Sequence, residues 1–141
     1  MANIQVQALN DYCKGTMNEA LGIIFTEITP EYIKATMPVN KNTMQPMGIL
    51  NGGASMALVE TVASAGANLL LDREKQIGFG LEINGNHCRP AHKGTLVTAV
   101  GTPLHIGKTT QIWQVNIYDE AEKLINTSRM TIAIRDKIIA P

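Results

Sequence analysis

From Asn42 to Leu71 the chain carries one charged residue, Glu60, set in the run "GILNGGASMALVETVASAGANLLL" at residues 48–71. That run is long enough to span a bilayer, which takes ~20 residues. Its composition argues otherwise, because Gly, Ala, Ser, Thr and Asn outnumber the strong apolar residues. A central acid would also cost about 2.5 kcal/mol or more on insertion, and no positive flank follows. The expectation is a buried helix from about Gly53 to Leu71, ending near Asp72. A helix apolar nearly all round must be covered on most sides. The rest of the chain therefore has to wrap it, and a second copy is the simplest cover for whatever one sheet leaves open.

The flanking sequence supplies such a wrap. "VQALNDYCKGTMNEALG" reads as a short, weakly amphipathic helix interrupted by Gly15. Two strands, roughly 22–28 and 31–38, follow with Thr29-Pro30 as their turn. "NKNTMQPMG" is loop, with Pro46 and Gly48 as breakers. Beyond the helix the period changes from 3.6 to 2. "IGFGLEINGNHC" and "TLVTAVGTPLH" are strands separated by "RPAHKG". In "QIWQVNIYD" Trp113, Val115 and Ile117 share one face. After the turn "DEAEK", "KLINTSRMTIAI" places Leu124, Met130, Ile132 and Ile134 on one side and Ile125, Thr127, Arg129 and Thr131 on the other. Short connections favour antiparallel pairing. One domain over residues 1–141 results, of α+β class, with an antiparallel sheet curved around one helix.

Composition narrows the function classes. The formal net charge is zero, so no basic field gathers nucleic acid or an anionic membrane. Two cysteines, Cys13 and Cys88, make no disulfide framework and have no zinc-like spacing. The first residues lack a basic region followed by an apolar one, so a cytoplasmic, reduced protein is expected. His87 and His105 have no close i+4 partner and His92 lies in a turn, so no metal is expected. Cys88 as a catalytic thiol is disfavoured, because its neighbour His87 points to the opposite face of the strand.

The chemistry centres on Glu60. On a helical wheel its neighbours are Met56, Ala57, Ser64 and Ala67. Apart from Met56 these are small, which lets a backbone or a slender ligand approach. Desolvation there disfavours the charged form and suits the carboxylate to general-base or nucleophilic work. Ser64, one turn on, can hydrogen-bond a water or the carboxylate. Gly52 and Gly53 stand at the helix start, where the first N–H groups have no intrahelical partner and the dipole is positive. An oxyanion could be held there; equally, Asn51 could simply cap the first turn.

"QPMGILNGGASMALVE", "GLEINGNHCRP" and "PLHIGKTTQIWQVNIYDE" together resemble the hotdog-fold acyl-CoA thioesterases of the phenylacetate-pathway type. The likeness is strongest to the bacterial 1,4-dihydroxy-2-naphthoyl-CoA and aryl-acyl thioesterases, and it runs in the same order from "KATMPV" to "SRMTIAI". The resemblance implies a long helix wrapped by an antiparallel sheet, paired into homodimers or homotetramers with the site at the subunit interface. It implies Glu60 as the catalytic carboxylate, either activating a water or attacking to form a mixed anhydride. It gives the Gly52 N–H as the donor that polarises the thioester carbonyl, Gln45 as a positioning amide and Ser64 as the hydroxyl that orients water. Gly80 falls near the acyl pocket. His87, Cys88, Arg89 and Pro90, and the segment His105, Ile106, Gly107, Lys108, Thr109 and Thr110, fall in regions that contact CoA; positive Arg89 and Lys108 suit its phosphates. Where the family reads His-Gly-Gly, this chain reads Asn51-Gly52-Gly53, and an asparagine amide substitutes only partly for an imidazole.

The expectation is hydrolysis of an aryl- or medium-chain acyl-CoA to free acid and CoA, with no cofactor beyond the CoA of the substrate. Met44, Met47 and Met56 suggest an adaptable acyl pocket. One rival is a dehydratase acting on acyl carriers, which would want a histidine where Asn51 stands. The other is a non-catalytic acyl-CoA-binding or effector-sensing protein, which Asn51 keeps open.

Overall fold

The structure, a computed structural model, describes residues 4–138. Two short helices come first, α1 (Ile4–Tyr12) and α2 (Met17–Leu21), where the sequence suggests one interrupted helix. Gly15 adopts φ +71 between them, a left-handed conformation that glycine takes without penalty. Thr16 then caps α2, its hydroxyl accepting the Asn18 N–H. Gly22 closes α2 at φ 70 and donates its N–H to the carbonyls of Asn18 and Glu19. That cap moves the start of the first strand to Ile24, two residues later than the sequence suggests. Strands β1 (Ile24–Ile28) and β2 (Ile33–Pro38) join through a turn in which the Thr29 hydroxyl accepts the N–H groups of Glu31 and Tyr32.

The long helix α3 runs Gly52–Leu69. Four strands follow, β3 (Gln76–His87), β4 (Leu96–Ile106), β5 (Thr110–Tyr118) and β6 (Leu124–Asp136). All pair antiparallel in one sheet of order β1-β2-β4-β5-β6-β3. The strand that follows α3 thus crosses to the far edge and pairs with the last one. Helix α3 packs against β2, β3, β4, β5 and β6. Its Leu58, Val59, Val62 and Ala63 are fully buried against Met37, Val97, Val115, Ile117 and Ile132. Gly66 is where the helix comes closest to the sheet: a Cβ there would lie 2.6 Å from the Trp113 ring.

Cover for α3 comes partly from within the chain. The Thr61 hydroxyl donates to Asn18 Oδ1 at 2.9 Å, tying α2 to the helix. Asn10 holds α1 to the sheet through both its amide groups, which exchange hydrogen bonds with the Phe25 backbone at 2.9 and 2.8 Å. The alternation expected in β6 holds for Met130, Ile132 and Ile134 but not for Ile125, which is buried. The reason is local: Ile117 pairs with Asn126 and Tyr118 with Leu124, so Ile125 is the extra residue of a bulge, which breaks the alternation there. No helix among the described residues is long and apolar enough to cross a membrane.

One surface cluster bears on acid stability. Glu27 accepts from the Tyr32 hydroxyl and from Lys34 Nζ at 2.9 Å. The Tyr32 hydrogen bond, then that of Lys34, holds the Glu27 carboxyl below its ordinary range. A carboxyl depressed in the folded state stabilises above its ordinary range and loses that contribution as pH falls through the lowered value. Glu27→Gln should therefore flatten the acid limb of a stability-versus-pH curve slightly, since water screens a side chain that is 43% exposed. An unchanged limb would show that these partners add nothing in solution.

Candidate active site

Glu60 sits in the third turn of α3, half-buried, and its Oε1 accepts the Ser64 hydroxyl at 3.2 Å. Gly80 of β3 faces it. A Cβ on Gly80 would fall 2.6 Å from Glu60 Oε1 and against the Met130 terminal methyl, so glycine leaves the carboxylate its room. The register slips between Gly80 and Glu82, a bulge that bends the strand at this point. The carboxylate opens into a cavity of about 450 Å³ walled by Leu9, Tyr12, Ser64, Asn68 and Gly78. Asn68, two turns beyond Glu60, fixes the opposite wall: its amide donates to the Gly78 carbonyl at 3.1 Å and accepts the Gly78 N–H at 2.9 Å. Sequence reasoning missed these walls. An amide on the Glu60 face at the spacing of Ser64 could have revealed Asn68, whereas nothing in α1 marks Leu9 or Tyr12.

A second cavity of about 460 Å³ lies at the other end of α3, between Gln45, Gly52, Ser55, His87, Cys88 and Arg89. Pro90 lines it as well. Asn51 caps the helix, its Oδ1 accepting the Gly53 N–H at 2.7 Å. The Gly52 N–H finds no acceptor among the described residues. Gln45 braces the loop before the helix, exchanging backbone bonds with Ile49 and Gly48. Its side-chain oxygen accepts the Met47 N–H, which leaves the amide nitrogen available. The Arg89 guanidinium donates to the Leu124 carbonyl at 3.0 Å.

These two groups cannot meet on one atom within one chain. Gly52 and Glu60 are eight residues apart on a continuous helix, about 12 Å along its axis. The third group stands elsewhere. His105 and Ile106 end β4, Gly107, Lys108 and Thr109 make the turn, and Thr110 opens β5; the Gly107 N–H donates to the Thr110 carbonyl at 2.9 Å. None of the six lines either cavity. Thr110 pairs with Ala133, and Ala133 with Phe79, so this hairpin is at the Gly80 end of the sheet. His87 pairs with Asn126, at the opposite end.

Sequence profiles of known families place residues 47–126 of this chain in the thioesterase superfamily. The chain belongs to that superfamily. The putative esterase ComA2 of Bacillus subtilis is 52% identical over 124 residues, which is 88% of this chain and 98% of that protein. The 1,4-dihydroxy-2-naphthoyl-CoA hydrolase of Escherichia coli is 44% identical, covering 93% of this chain and 95% of its own. The crystal structure of thioesterase HI1161 from Haemophilus influenzae superposes with a TM-score of 0.90 at 40% identity, over 95% of this chain and 92% of that one. The hotdog fold expected from the sequence is thereby established, and thioester hydrolysis is the reaction class.

Within one chain of this thioesterase the three methionines expected around the acyl group, Met44, Met47 and Met56, stand away from both cavities. Met47 is 81% exposed in a loop, and the Met56 methyl turns toward Gly85 instead. The cavity beside Glu60 is walled in part by Leu9 and Tyr12 of α1.

Proposed function

We propose that the protein hydrolyses an acyl-CoA to the free acid and CoA, in a site that two copies of the chain complete. The observation that carries this reading is the division of one reaction's parts between two cavities. Thioester hydrolysis needs a base or nucleophile, a donor for the oxyanion, and a held carbonyl. Glu60 with Ser64 offers the first, and Gly52 with Gln45 the other two. A two-fold partner would bring the Gly52 end of one helix to the Glu60 of the other. Strand β3 supports such pairing: it is an edge strand of twelve residues, with Phe79 54% and Leu81 64% exposed, and an edge like that invites a second strand.

In this reading the acyl group enters the cavity beside Glu60, and Arg89 and Lys108 meet the phosphates of CoA. Glu60 either takes a proton from a water that attacks the carbonyl carbon, or attacks that carbon itself. In both routes the C–S bond breaks, CoA leaves as the thiol, and water supplies the oxygen of the product acid. The name of the Escherichia coli relative favours an aryl acyl group.

Release of free thiol from a panel of aryl- and alkyl-acyl-CoAs tests the activity and ranks substrates. Tight binding without release would make the protein a CoA-ester binder instead. Complementation tests the shared site. Glu60→Gln and Gln45→Ala chains, each weak alone, should regain about a quarter of the parental rate when refolded together, since random pairing leaves that share of sites intact. A mixture no better than the mean of the two variants would mean that each chain holds a whole site.

A further inference from the structure

We propose that His87 donates a hydrogen bond from Nε2 to the thioester carbonyl, making it a second oxyanion donor beside the Gly52 N–H. The inference rests on the hydrolase reading above and adds a catalytic residue to it. Three observations carry it.

The first is a polar relay on the core face of β6. Asn126 and Ser128 are buried, at 0% and 2% exposure, among the apolar residues of that strand. The Ser128 hydroxyl donates to Asn126 Oδ1 at 2.6 Å, and the amide nitrogen lies 3.2 Å from His87 Nδ1. With the amide placed this way its N–H donates, Nδ1 accepts, and the tautomer assigned to the imidazole carries its proton on Nε2. Gly85, paired with Ser128, has no side chain to block the relay; a Cβ there would run into the Ser128 hydroxyl.

The second observation is where Nε2 points. It lies 2.9 Å from the place a Cβ on Gly52 would occupy, so the ring rests on the first residue of α3. The third is that the Gly52 N–H has no acceptor among the described residues, and that Gly52, His87 and Gln45 line the same cavity. Two N–H donors thus border one cavity at the positive end of a helix. As the carbonyl carbon takes its fourth bond, negative charge gathers on its oxygen, and donors set beforehand hold it without reorganising. No proton changes hands at His87 in this step. Its relay serves to keep the donor on the correct nitrogen.

Two replacements of similar size separate donation from bulk. His87→Met should lower kcat by about 100-fold, the scale of one lost oxyanion donor, with KM and inhibition by free CoA little changed. His87→Gln, which still offers an N–H, should retain kcat within about tenfold. If His87 only touched CoA, both variants would weaken KM and CoA inhibition while kcat stayed put, and the assignment would be wrong. Equal kcat in Met and Gln variants would also overturn it. Glu60→Gln run beside them keeps the two readings apart. An inactive Glu60→Gln with a fully active His87→Met sinks the His87 role alone, whereas a parent that releases no thiol sinks both.

Discussion

Glu60→Gln should slow thiol release by about 1,000-fold or more, equivalent to about 4 kcal/mol of activation free energy, with the fold unaltered. Glutamine has the shape of glutamate and can still accept the Ser64 hydroxyl bond, seen at 3.2 Å, so packing around α3 is conserved. What it lacks is a lone pair basic or nucleophilic enough to take a water proton or attack a carbonyl. The measurement pairs steady-state thiol release with a thermal melt. A normal melt and a collapsed kcat would tie the chemistry to the carboxylate. A normal melt with parental kcat would leave Glu60 a structural partner of Ser64 and Gly80, and the reaction would need another base.

The second large effect is on stability. Gly66→Val should destabilise the protein by about 3 kcal/mol, the upper part of the range for overpacking a rigid core, and lower its melting temperature by roughly 10 °C. A single Cβ at Gly66 already falls 2.6 Å from the Trp113 ring and 3.2 Å from Ile33. The ring cannot retreat easily. It is 3% exposed and its Nε1 donates to the buried Gln111 at 2.9 Å. Valine adds two further methyl groups to that clash. Ala is the useful comparison, since it adds the Cβ alone and recovers about 1 kcal/mol of helix propensity over glycine. A valine variant that melts with the parent would mean that helix and sheet slide apart freely at this crossing, contrary to the packing seen.

How far the sequence reveals this molecule follows from which forces act locally. The α3 helix was legible because lone charge and unbroken apolar run leave few alternatives, and the strands because alternation is a short-range signal. Asn51 as a cap could be read from its place before two glycines. The β6 face was only half legible: Met130, Ile132 and Ile134 announce it, but Asn126 and Ser128 on the same side look like surface residues until His87 arrives from β3. Pairing between distant strands creates that relay, and no local pattern encodes it. For the same reason α1 gave no hint that Leu9 and Tyr12 wall the cavity beside Glu60, since their role depends on Asn10 gripping Phe25. The residues from His105 to Thr110, grouped with the site by resemblance, stay apart from both cavities in one chain.

The strand order also sets when the molecule can become functional. Both cavities borrow from β3, through Gly78 and Gly80 at one end and His87 at the other. Among the described residues β3 is zipped only to β6, the last of the six strands. During synthesis β3 therefore emerges with no neighbour ready for it and waits, unpaired, through three further strands. Non-local closures of this kind are the slow ones, and an idle apolar edge is the segment most exposed to aggregation meanwhile. Hydrogen exchange during refolding should find β3 and β6 gaining protection together and last.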